Sequence, residues 1–88
     1  MMVYLSAAEV CPFKESSDRY IRYNKVVSLK TETPELCAQA CLGVTDFVCR
    51  SFDYGHEEGK CYLSDTTSLT GDVVEKHKWS FYERLMSG

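Results

Sequence analysis

The sequence has no apolar run approaching 18 residues, so no segment of it reads as a membrane-spanning helix. It has no excess of basic residues. Ten Lys and Arg stand against thirteen Asp and Glu, giving a net charge of −3. A general nucleic-acid or heparin binder needs a concentrated basic surface, and this balance argues against one. The opening "MMVYLSAAEVC" has neither the charged start nor the apolar stretch of a secretory leader. The only asparagine, Asn24, is followed by Lys25 and Val26, so there is no N-glycosylation sequon. Internal repeats, low-complexity tracts and linkers are missing. So are the "GxSxG" and "HExxH" motifs and any glycine loop for phosphate. Nothing in the sequence points to an enzyme or to a bound cofactor.

Cysteine, by contrast, is plentiful: five in 88 residues. A chain of this length is one domain and buries only about 60 to 65 % of its unfolded surface, so its core alone is marginal. Domains of this size usually need a staple. With 44 % hydrophobic and 12 % aromatic residues the chain has ample material to fold. A disulfide domain without a leader is expected to be a piece of a longer secreted protein, with 1–88 as a single domain and its core at about 11–84.

"EVCPFK" and "RYIRYNKVVSLK" read as extended chain, rich in Tyr, Ile and Val, with "ESSD" as a turn between them. Thr33 suits a helix N-cap, followed by Pro34 and Glu35. Gly43 suits a left-handed helix end, which predicts a helix over Pro34 to Leu42. "FVCRSFDY" and "KCYLS" read as a hairpin around "GHEEG". "TSLTGDVVEKH" reads as a connection. "KWSFYERL" reads as a final strand, with Trp79 and Phe81 on one face.

On the helix, Cys37 and Cys41 are four residues apart and share a face. A Gly55–Gly59 loop would set Tyr54 opposite Lys60 and Asp53 opposite Cys61. Cys49 and Cys61 would then share a hairpin face, about 13 Å apart along it. That exceeds the roughly 7 Å between Cα atoms that a bridge allows. The hairpin therefore offers two cysteines to the helix. The connection from Gly43 to Val48 is short, so Cys41 is expected to meet Cys49, and Cys37 to meet Cys61. The rival is a zinc site of four cysteines, or three with His56 or His77. Structural zinc favours paired cysteine knuckles, and no second knuckle exists. His56 and His77 read as solvated surface residues.

The stretch "TPELCAQACLGVTDFVCRSFDYGHEEGKCYLS", with the later "FYER", resembles a PAN/apple domain from about Cys11 to Arg84. The resemblance implies an α+β fold: an antiparallel sheet of about five strands around a single helix. It implies the same two bridges, Cys37–Cys61 and Cys41–Cys49. The fuller apple pattern adds a bridge from a first cysteine, where Cys11 stands, to one near the C-terminus. None follows "FYERLMSG". Cys11 is therefore expected to be unpaired here, to pair with a cysteine beyond Gly88 in a longer chain, or to link two chains as a dimer.

The resemblance also implies function. PAN domains are non-catalytic modules that bind proteins or carbohydrates in extracellular proteins. A partner protein or glycan is thus expected, with no nucleic acid and no membrane insertion. The alternatives are a structural matrix module without a discrete ligand site and, more weakly, a reduced intracellular zinc or thiol protein. For a contact surface, "RYIRYNK" places Arg19, Arg22 and Lys25 among Tyr20 and Tyr23, residue types that interfaces favour. Its plain reading is a half-buried strand with a solvated basic face. The hairpin face away from the helix is expected to carry Arg50, Phe52, Tyr54 and Tyr62, packed as framework. Glu57 and Glu58 read as a solvated tip.

Overall fold

Thr33 lies in extended backbone at the helix N-cap, where its hydroxyl accepts from the Leu36 N–H at 3.2 Å. Pro34 lacks the donor that a first turn would leave unpaired, and Glu35 sets negative charge at the dipole's positive end. Helix α1 runs Pro34–Gly43 in the computed structural model, which describes residues 13–23 and 25–85. Gly43 stays inside the helix and takes no left-handed backbone. The helix closes instead at Val44, in extended backbone, whose N–H donates to the Ala40 carbonyl at 3.0 Å. Thr33→Ala should lower stability by about 1 kcal/mol. Urea unfolding would read this, and an unchanged midpoint would mean that other contacts hold the helix start.

Five strands form one antiparallel sheet: β1 Phe13–Ile21, β2 Lys25–Lys30, β3 Ser51–Gly55, β4 Lys60–Ser64 and β5 Val73–Arg84. Their order is β1-β5-β3-β4-β2. The segment "ESSD" is not a turn. It lies within β1, where Asp18 has a φ of 58° and the register with β5 shifts between Ser17 and Arg19. Bulges of this kind are often made by the short polar residues that tolerate positive φ. The chain divides instead between Ile21 and Lys25, so "RYIRYNKVVSLK" is shared by two strands. The long "TSLTGDVVEKH" connection is shorter than expected, because Val73–His77 belongs to β5.

The hairpin register differs from the expected one by a single residue. Gly55 pairs with Lys60, Tyr54 with Cys61 and Asp53 with Tyr62. The physical reason is the turn, which takes four residues, not five. Gly59, at φ +67°, supplies its left-handed position, and its N–H donates to the Gly55 carbonyl at 2.8 Å. A one-residue slip exchanges the faces of a strand. Phe52 and Tyr54 therefore lie on the helix side, in the core with Cys37, Ala38, Cys41, Cys61, Leu63, Tyr82 and Phe13. Asp53 goes to the opposite face.

Two disulfides fasten α1 to this core. Cys37 is joined to Cys61 and Cys41 to Cys49, with Cα atoms 5.7 and 5.3 Å apart. Cys49 precedes β3 and escapes its alternation, so it reaches Cys41 from irregular chain. Cys11 and its expected partners lie outside the described residues. At that end of the domain Phe13 pairs with Arg84, so the first and last strand residues are neighbours.

Candidate functional site

The sheet face away from α1 carries a cluster of aromatic and charged side chains drawn from several strands. Tyr62 of β4 reaches it beside Asp53, and Trp79 of β5 lies across Gly55 of β3. A Cβ on Gly55 would come within 2.7 Å of the Trp79 ring, so the missing side chain makes room for the indole. Tyr62 and Trp79 stack with centroids 5.5 Å apart and planes at 1°. Tyr20 comes from β1, its ring also 5.5 Å from Trp79. It arrives because the far half of the β1–β5 ribbon, Arg19–Ile21 with Val73–Glu75, bends over this face. The bend falls at Asp18 and Lys78, both with positive φ, where the Lys78 N–H donates to the Asp18 carboxylate.

Lys25 completes the cluster. Its register with β4 shifts before Val27, so one extra residue turns Lys25 away from the helix face that Val27 and Leu29 pack against. The Lys25 ammonium stands 4.1 Å from the Tyr20 ring centroid and 4.9 Å from that of Tyr62. Lys76 approaches the same Tyr20 ring at 5.5 Å. Burial pushes the Lys25 pKa down, Asp53 pulls it back up and Lys76 lowers it further.

Asp53 lies beneath this cluster, fully buried in the middle strand of the sheet. One carboxyl oxygen accepts from the Ile21 N–H at 2.9 Å, which ties the bent ribbon to β3. The other has no hydrogen-bond partner among the described residues. Burial raises the Asp53 pKa to about 7, against the opposing pull of the Ile21 N–H and of Lys25.

Of the residues expected at the surface from "RYIRYNK", the fold brings Tyr20 and Lys25 together. Arg19, Arg22 and Tyr23 are exposed beside them. Arg19 donates to the Asp18 carbonyl at 3.1 Å. Arg22 is ion-paired with Asp72 at 2.6 Å and stands 5.1 Å from the Tyr23 ring. The sequence pattern does not mark Asp53, Trp79 or Lys76 as members of this face, and Tyr62, expected as framework, is half-exposed in the cluster. A four-residue turn is the signal that would have placed Tyr62 and Asp53 together.

A second polar group lies on the helix side of the sheet. His56 Nε2 and Ser80 Oγ are 2.8 Å apart, and the Ser80 hydroxyl donates to Glu15 at 3.4 Å. His56 is thus exposed but tied, its ring also edge-on to Tyr54 at 5.1 Å. In a nucleophilic triad the acid holds the histidine. Here the acid's hydrogen bond goes to the serine, which is not the order of such a triad. Glu57 is not free at the hairpin tip, because Lys78 donates to it at 2.6 Å and holds its carboxyl below the ordinary carboxylate range. His77 is exposed, 3.5 Å from the Asp18 carboxylate. All four described cysteines are spent in disulfides, so none offers a thiolate to a metal.

The family model for the PAN domain matches residues 11–86, a span that includes every described strand, the helix and both bridges. Domains of that family are known as protein- and carbohydrate-binding modules of extracellular proteins, generally without catalytic activity. With one helix, a five-stranded antiparallel sheet and two disulfides behind that match, the chain belongs to the PAN domain family.

Proposed function

We propose that this chain is an extracellular, non-catalytic binding module of a longer secreted protein, with its core at about 11–84. It contacts another protein or a glycan through the sheet face away from α1. One observation carries the reading: Tyr20, Tyr62 and Trp79 converge on that face, all half-exposed. Aromatic rings with polar tips combine large contact area with directed hydrogen bonds, which is why interfaces favour them. Arg19, Arg22 and Tyr23, exposed beside the cluster, extend the surface. The disulfides suit an oxidising compartment.

The reading is tested with immobilised protein against defined glycans and purified extracellular proteins. For a ligand that binds the wild type, the Tyr20→Ser, Tyr62→Ser double variant should lose at least about tenfold in affinity, a hot-spot-sized effect. Far-ultraviolet circular dichroism should show the variant folded. Undiminished binding by the folded variant would move the contact surface elsewhere.

A further inference from the structure

The contact face already holds an occupant of its own. The Lys25 ammonium sits between the Tyr20 and Tyr62 rings, at 4.1 and 4.9 Å from their centroids. No carboxylate oxygen lies within ion-pairing distance of it among the described residues. The acid that acts on it electrostatically is Asp53, whose second oxygen has no donor among the described residues. A fully buried carboxyl oxygen without a donor calls for an explanation. Two ring faces, a stacked indole and this carboxyl together make a receptor for positive charge.

We infer that Tyr20, Tyr62, Trp79 and Asp53 form a cation-recognition site that Lys25 fills from within, and that the partner is a protein presenting a lysine or arginine side chain. The inference rests on the contact face proposed above. The resident group itself supplies the chemistry: a primary ammonium on an alkyl stem. The chain's net charge of −3 suits a basic partner. An incoming cation must displace Lys25, and Lys76, on the same Tyr20 ring, is the like charge it meets. The native site is therefore held weak until a partner makes enough other contacts to expel the lysine.

The chain has a single tryptophan, so the fluorescence of Trp79 reports on this site alone. Hexa-arginine is titrated at physiological ionic strength against wild type, Lys25→Ala and Lys25→Met, the last keeping the apolar stem. Both variants should bind about tenfold more tightly than wild type, because the resident cation–π contact no longer has to be broken. Lys14→Ala changes the net charge equally at the opposite end of β1 from Tyr20, and should show no such gain. Adding Tyr20→Leu to Lys25→Met should abolish it. Equal affinity of the Lys25 variants and wild type would overturn the assignment. So would a gain shared by Lys14→Ala, or tighter binding of hexa-glutamate than of hexa-arginine. If the Tyr20, Tyr62 double variant still loses its glycan or protein ligand while these tests fail, the contact face stands and only its cation specificity is wrong.

Discussion

Replacing Cys37 and Cys61 together by alanine should lower stability by 2 to 5 kcal/mol, the range found for native bridges of small secreted domains. This bridge spans 24 residues of sequence and the other spans 8. In the chain-entropy picture the longer loop contributes about 3.5 kcal/mol and the shorter about 2.5 kcal/mol. The helix makes the dependence sharper. Ten residues of α-helix are marginal in water, and α1 is held where Cys37, Ala38 and Cys41 enter the core and Ala40 packs against it. Losing Cys37–Cys61 frees the helix start and leaves the Phe52 and Tyr54 side of the sheet poorly covered. For a domain of this size the melting temperature should fall by at least about 10 °C. The Cys41, Cys49 double replacement should cost less. Urea unfolding of the three proteins, unreduced, checks the order. An unchanged midpoint for the Cys37, Cys61 variant would show that packing alone secures the helix.

The helix was legible because its signals are local. Thr33, Pro34 and Glu35 mark its start, and Cys37 and Cys41 mark its buried face. The pairing of the cysteines in the structure is the one argued from that face and from the short Gly43–Val48 connection. The hairpin side differs from expectation: a five-residue loop would set Asp53 opposite Cys61, whereas Tyr54 holds that place. The pairing survives the slip because Cys49 lies outside β3 and does not follow its alternation.

What the sequence concealed is governed by backbone irregularities. Asp18 and Lys78 take positive φ, and Val26 is the extra residue in the β2–β4 ladder. Each redirects the side chains beyond it, and none carries the glycine that would advertise it. Strict alternation from "RYIRYNK" puts Tyr20 and Lys25 on opposite faces of one strand. Two bulges in different strands bring them together. The aromatic face is thus a product of strand pairing, which adjacent residues do not encode.

The other large effect should come from Asp53. Its folded pKa, about 7, lies above the ordinary 3.8, so the folded chain holds a proton that the unfolded chain has released across that interval. Stability is therefore fully present below about pH 4 and declines as pH rises towards 7. Above 7 both states are ionised and this contribution is flat. At about 1.4 kcal/mol per pH unit over that interval, the loss is on the order of 4 kcal/mol. Without Lys25, whose charge favours the carboxylate, the loss would be larger still. Asp53→Asn removes the titration and keeps an oxygen to accept from Ile21. Its new amide group must find an acceptor, a cost of about 1 to 3 kcal/mol that does not vary with pH. The decisive quantity is therefore the difference between the two proteins as a function of pH. Between pH 5 and pH 8 the wild type should lose stability relative to Asp53→Asn by roughly 2 to 3 kcal/mol. Urea unfolding at several pH values measures that difference. Parallel curves would mean that Asp53 keeps an ordinary pKa, with water or a reoriented Lys25 at its second oxygen. A steep divergence would identify the carboxyl beneath Tyr20, Tyr62 and Trp79 as the group that makes this face sensitive to pH.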